Sequence, residues 1–153
     1  MYKTKDIISY ILLIAPIFLG LGSGYFVSRK KIPKVKSYLN PPSWLFGIVW
    51  PILYLLIGYS SYLIWNTTTI SMSSKQFYLF LYVLQVILVM SWWPYFVNYP
   101  NKLFSTVTLI MLTVFAIVVT ILFYKVKAVA GYFLIPYVIW LSFASFLTSQ
   151  TQV

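Results

Sequence analysis

The sequence predicts an all-α integral membrane protein, a single domain over residues 1–153 built as a five-transmembrane-helix bundle. Composition is the first ground. The 153 residues are 61% hydrophobic, 21% aromatic and 8% charged, which is more apolar surface than a soluble domain of this length can bury. The second is a set of apolar runs at about 7–28, 44–65, 77–97, 103–124 and 128–148, each able to cross a hydrocarbon core of about 30 Å at about 1.5 Å per residue. The third is punctuation: Pro, Asn, Ser and Lys stand between the runs, and a basic loop fills 29–43, as turns at a membrane surface require.

Charge and missing residue types bound the function. The net charge of +10 suggests anionic lipid headgroups rather than nucleic acid, because no basic face is continuous enough to track phosphates. There is no His and no Cys, and Asp6 is the only carboxylate. The usual general acids and bases, thiol nucleophiles and metal ligands are therefore nearly all missing. No catalytic residue, no metal site and no obligatory cofactor is expected.

The first helix runs from Ile7 to Ser28. Lys3 and Lys5 before an apolar segment could mark a cleavable leader, but the run exceeds a usual leader core and no small-x-small site closes it, so a retained helix is favoured. Pro16 should kink it, and Gly20-x-x-x-Gly24 suits close helix contact, including self-association. The loop that follows holds Arg29, Lys30, Lys31, Lys34 and Lys36, a headgroup-facing cluster that orients the chain. With five spans the termini lie on opposite sides. The first loop, Lys102 and the C-terminus fall together and are assigned to the cytoplasmic face; Lys3, Lys5, Lys75, Lys125 and Lys127 fall on the other face, offset by Asp6. The sequon Asn66-Thr67-Thr68 lies on that second face, too near the bilayer for glycosylation.

On the second helix Trp50, Tyr54, Ser61 and Trp65 recur at spacings of four, seven and four, which stacks them along one face as an aromatic wall. The third helix carries Gln85 within an apolar run, and a glutamine at that depth needs a partner on another helix or a ligand. Trp92-Trp93 near its end would suit an interfacial belt or a pocket. The fourth helix is Thr- and Val-rich and uncharged. On the fifth, Pro136 should introduce a kink, Tyr137 and Trp140 lie on one side, and Ala144 follows Trp140 by one turn, leaving a slot for a planar molecule. Ala130, on the same helix, is expected to face lipid. No inverted repeat marks an alternating-access carrier.

Two of these stretches are similar to a known family. Pro41-Pro42-Ser43-Trp44-Leu45-Phe46-Gly47-Ile48-Val49-Trp50-Pro51-Ile52-Leu53-Tyr54, continued by Gly58-Tyr59-Ser60-Ser61-Tyr62-Leu63-Ile64-Trp65, resembles the second helix of the TspO/MBR (translocator protein, peripheral-type benzodiazepine receptor-like) family. Leu134-Ile135-Pro136-Tyr137-Val138-Ile139-Trp140, with Phe143-Ala144-Ser145 and Leu147, resembles its fifth. Against the family pattern Gln85 and Trp92 match, Phe104 stands where many members have Trp, and Val89-Met90 replaces an Asn-Trp pair. Thr108 replaces an acidic residue, and Phe80 and Leu84 occupy the Gly-x-x-x-Gly positions of the third helix. The family's Lys-Pro-Ser-Trp loop motif is absent, and the C-terminus lacks the Tyr followed by Lys or Arg that is tied to cholesterol in animal members.

The resemblance implies a membrane receptor or transport protein that binds a hydrophobic planar ligand, a tetrapyrrole such as protoporphyrin IX or haem and less securely a sterol, for sensing, transport or turnover. It implies ligand contacts from Trp50, Tyr54, Gln85, Trp92, Phe104, Tyr137, Trp140, Ala144 and Leu147, with the basic loop as a lid. Light-dependent porphyrin breakdown, credited to some members, would fall to Trp50 and Trp140, which leaves enzyme activity open. Expected partners are membrane lipids, the porphyrin-like or sterol-like ligand and a second copy of the chain. The location is a bacterial cell membrane, or a mitochondrial outer or endoplasmic reticulum membrane in a eukaryote. The alternatives are a small carrier of lipophilic metabolites and a structural or partner-binding membrane protein without a small ligand.

Overall fold

The computed structural model describes residues 2–25, 34–35, 41–99 and 101–152. Within them the chain forms α1 (Tyr2–Tyr25), β1 (Lys34–Val35), α2 (Ser43–Asn66), α3 (Met72–Asn98), α4 (Lys102–Val126), α5 (Ala128–Ser149) and β2 (Thr151–Gln152). All five helices are long and apolar enough to span a bilayer, and the protein is an integral, multi-pass membrane protein. A helix meets the demand of hydrocarbon, where every backbone N–H and C=O must find a partner within the protein, by pairing them all inside one segment.

The helices start and stop close to where the apolar runs do, and local chemistry explains the shifts. Helix α3 begins at Met72, ahead of the apolar run at Phe77, because Ser71 caps it: its Oγ accepts the Ser74 N–H at 3.2 Å, satisfying one of the free donors of the first turn. Asn101 does the same for α4, its Oδ1 accepting the Phe104 N–H at 3.0 Å. Lys127 alone joins α4 to α5, in an extended conformation with φ −152 and ψ 107. So short a link forces the two helices to lie antiparallel, side by side.

Packing closes the helices into a ring in the order α1, α2, α5, α4, α3 and back to α1, with α2 also touching α3. The core runs down the middle and contains Leu53, Ile57, Ile64, Tyr82, Val86, Leu109, Val119, Phe123, Leu134 and Leu141. The outward face is apolar too, with Ile7, Phe18, Ile52, Phe80, Met111 and Ile139 all exposed, as lipid-facing helices are. Polar side chains inside the ring bond between or along helices: Ser60 Oγ donates to the Ala130 carbonyl at 2.7 Å, and Thr113 and Ser145 hydroxyls meet at 3.3 Å. Where no water is available such bonds hold helices together.

Two expectations are corrected by this packing. Ala130 does not face lipid: it is 0% exposed, because the first turns of α5 are pressed against Ser60 of α2 and, at Gly131, against Tyr124 of α4. Gly20 is not a surface for a second copy of the chain, since it is buried and a Cβ there would overlap the Tyr54 ring. The small residue is spent on the α1–α2 contact within one chain.

One end of the bundle carries an additional tie. β1 pairs with β2 in antiparallel register, Lys34 opposite Gln152 and Val35 opposite Thr151. The first loop and the C-terminus, assigned to one face on charge, are thus in contact. The rest of the basic loop, including Arg29, Lys30, Lys31 and Lys36, lies outside the described residues.

Candidate functional site

Five aromatic side chains of α2 and α5 converge near the strand-pair end. Trp50 and Tyr54, one turn apart, stack at 5.5 Å with planes 29° apart. Trp140 stands at right angles to Trp50, 6.5 Å away and 89° between planes. Phe46 meets Trp140 edge-on at 5.6 Å, and Phe143 lies tilted against it, also at 5.6 Å with 51° between planes. Edge and offset contacts of this kind are the favourable geometries for rings. Trp50, Trp140 and Ala144 are partly buried against the core, whereas Tyr54 is 7% exposed. Helix α1 closes the third side through Gly20, whose missing side chain lets the Tyr54 ring lie against its backbone.

The polar groups around these rings are few. The Trp140 indole N–H is buried, with no acceptor among the described residues. Below it Gln85 Nε2 donates to the Tyr137 hydroxyl at 3.4 Å, which joins α3 to α5 through the 3% exposed Gln85 and the 2% exposed Tyr137. Gln85 therefore has the interhelical partner its depth demands. Among the described residues no group of three or more His, Cys, Asp or Glu could hold a metal ion.

The structure brings together some of the expected ligand residues and separates others. Trp50, Tyr54, Trp140 and Ala144 share the α2–α5 cage, with Tyr137 and Gln85 deeper and Leu147 buried toward the end of α5. Trp92 belongs to the α3–α4 contact instead: its indole N–H donates to the Ser105 carbonyl at 3.1 Å, and its ring stacks on Phe96 at 5.1 Å. Phe104 is 51% exposed and lies against Tyr95 at 5.2 Å, on the outside of the bundle. Phe46 and Phe143 were missed; each lies one turn or less from a predicted site residue, so helical spacing alone could have found them.

The aromatic wall of α2 is also divided. Ser61, on the same face as Trp50, donates to the Gly58 carbonyl at 2.8 Å and the Leu12 carbonyl at 3.3 Å. The Trp65 carbonyl accepts from Lys75 Nζ at 3.1 Å. The lower half of the wall is thus occupied by packing against α1 and α3. Two open crevices lie elsewhere, one of about 400 Å³ along Ile7, Ile11, Ala15 and Phe18 of α1, the other of about 320 Å³ at Lys102, Leu103, Thr106 and Ser149. Neither is lined by an expected ligand residue, and the cage itself is filled by its own rings.

Comparison with known proteins agrees with the geometry. The TspO/MBR family model matches residues 12–153. The chain is 30% identical over 117 residues to the tryptophan-rich protein TspO of Chlorobaculum tepidum, covering 74% of this chain and 71% of that one. It is 33% identical over 112 residues to the translocator protein of Homo sapiens, covering 73% and 66%, and 30% identical over 139 residues to the TspO of Archaeoglobus fulgidus, covering 88% of each. With five membrane-spanning helices, the aromatic pair of α2 facing the α5 indole, and a family match over nearly the whole length, this chain belongs to the TspO/MBR family.

Proposed function

We propose that the protein binds a hydrophobic planar ligand, a tetrapyrrole such as protoporphyrin IX or haem, between α2 and α5 against α1. The observation that carries this reading is the right-angled Trp50–Trp140 pair, with a buried indole N–H on Trp140 that has no acceptor among the described residues. An apolar, ring-lined space with one unmet donor suits a flat molecule carrying an acceptor at its edge. Ala144, one turn beyond Trp140, adds only a methyl group to the wall that a ring would meet once the cage rings part. A sterol fits less well, because the C-terminus has no Tyr followed by a basic residue. Chemistry on the ligand would have to run through Trp50 and Trp140, since the chain offers no His or Cys.

Titrating the purified protein with protoporphyrin while following tryptophan fluorescence tests the reading. Saturable quenching is expected, and it should be largely lost in folded protein carrying Trp50→Ala with Trp140→Ala. Illumination of the complex reports in the same samples whether porphyrin is consumed. Quenching that survives the double substitution with unchanged affinity would remove the cage as the site.

A further inference from the structure

We propose that the groove between the start of α4 and the end of α5 binds one anionic phospholipid, an acyl chain lying in the groove and the phosphate meeting the Lys102 ammonium. The groove, of about 320 Å³, is lined by Lys102, Leu103 and Thr106 of α4 and by Ser149 of α5. Its surface is apolar, supplied by side-chain carbons, and Lys102 is the one charged residue among those that line it. An apolar floor with a cation at the rim has the chemistry of a lipid rather than of a soluble anion: hydrocarbon matches the floor and phosphate the rim. The groove shares no lining residue with the aromatic cage, and neither has to be filled for the other to bind.

Neighbouring rings place the groove at the level of the headgroups. Tyr95 lies 5.6 Å from the exposed Tyr99 and 5.2 Å from the exposed Phe104, so an aromatic cluster brackets Lys102 in the chain. Tyrosine rings collect where hydrocarbon gives way to water. A lysine at that depth lays its methylene stem along apolar surface and keeps its ammonium at the boundary, which is where lipid phosphates lie. Thr106 contributes a second group: its hydroxyl is buried without a partner among the described residues. A threonine in a helix has two accessible side-chain rotamers, so rotation about one bond lets that hydroxyl donate to a headgroup or ester oxygen.

Charge decides among lipids. Lys102 begins α4 at the end of the bundle shared by the strand pair, whereas Asp6, the only acidic side chain in the sequence, lies near the start of α1 at the opposite end. No acidic side chain of the same chain can therefore pair with Lys102, and at its depth the membrane supplies phosphates. A zwitterionic lipid carries its own cation beside the phosphate, which offsets the attraction. A headgroup of net negative charge has no such offset and is drawn to a basic residue at the surface.

Native mass spectrometry of the full-length protein, stripped of lipid in detergent and titrated with phosphatidylglycerol or phosphatidylcholine, tests the site by resolving each bound lipid. The unmodified chain should take its first phosphatidylglycerol about fivefold more tightly than phosphatidylcholine, as one lysine beside a charged headgroup implies. Lys102→Gln should remove that preference. Lys125→Gln deletes the same charge at the other end of α4, where the side chain is exposed, and should keep it. Ser149→Leu spares the ammonium but fills the groove with carbon, and should weaken phosphatidylglycerol about tenfold because a filled groove cannot also take a chain. Melting profiles verify that each variant is folded; should Ser149→Leu not fold, the two lysine variants still decide. Equal affinity for the two lipids in the unmodified chain would overturn the proposal, as would equal losses in Lys102→Gln and Lys125→Gln, the mark of a diffuse response to charge. Unchanged binding by folded Ser149→Leu would remove the groove as the site. Glycerol phosphate, a headgroup without chains, should not displace the lipid at matched concentration; displacement would make the occupant a free phosphate compound and contradict the lipid.

Discussion

Helix α2 meets its neighbours in two different ways along its length. Its first three turns present large rings: Phe46, Trp50 and Tyr54 touch α5 and α1 through aromatic edges and faces, with one donor, the Trp140 indole N–H, left unmet among the described residues. Its last turns add small and polar groups beside one ring contact, Tyr59 edge-on to Phe133 of α5 at 5.1 Å. Gly58 lies so close to α1 that a Cβ would overlap the Leu13 carbonyl, Ser60 bonds to the Ala130 carbonyl, Ser61 to the Leu12 carbonyl, and Asn66 Nδ2 to Ser9 Oγ at 3.1 Å. Backbones in contact and hydrogen bonds in a waterless setting are specific and unforgiving. Rings meeting at edges can tilt and separate with little loss of contact. One end of the bundle is therefore held by backbone contact and hydrogen bonds, and the other is the one proposed above to accommodate a guest.

The sharpest way to break that contrast is Gly58→Leu. Four added carbons would have to displace the α1 backbone, and overpacking of this kind costs about 3 kcal/mol or more, so the variant should fail to give a monodisperse, cooperatively melting protein in detergent. Gly20→Leu is the matched change at the other end. It collides with the Tyr54 ring rather than with backbone, so the ring can swing into the cage; the fold should survive while protoporphyrin affinity falls about tenfold, or ~1.4 kcal/mol. If both variants lose the fold alike, the two ends do not differ as described.

Smaller effects sharpen the picture. Ser60→Ala removes the α2–α5 hydrogen bond at the holding end and should lower stability by about 1 kcal/mol, seen as a lower melting temperature with ligand affinity unchanged. Lys75→Met should cost less, roughly 0.3–1 kcal/mol, by removing the ammonium that donates to Trp65 at the C-terminal end of α2. A change in affinity larger than the change in stability for either variant would place ligand contacts at the wrong end.

How much of this was legible in the sequence follows from what each feature depends on. Helix number and order were readable because apolar length is a local property, and Trp50, Tyr54, Trp140 and Ala144 were readable because helical spacing puts them on common faces. The division of the α2 face was not. Ser61 follows Tyr54 at a spacing of seven, yet whether it meets a ligand or the Leu12 carbonyl depends on how closely α1 approaches, and that is set by Gly58. Trp92 and Trp140 look alike as indoles in apolar helices, but one finds an acceptor in the Ser105 carbonyl and the other finds none among the described residues. Ala130 could not be told from a lipid-facing alanine, because its burial comes from the single-residue link between α4 and α5. Partners set by tertiary approach are invisible to spacing.

Protoporphyrin titration of Ala144→Phe beside Ile139→Phe tests the central claim most directly. Both substitutions place a ring on α5, but Ala144 lies partly buried against the core near Trp140, while Ile139 is 63% exposed toward lipid. With folding of each variant verified by its melting profile, affinity should fall about tenfold or more, ~1.4 kcal/mol, for Ala144→Phe, because a packed apolar slot cannot take an extra ring without strain. Ile139→Phe should bind as the unmodified chain does. Equal binding by the two folded variants would contradict the cage as the ligand site and return its rings to the role of packing.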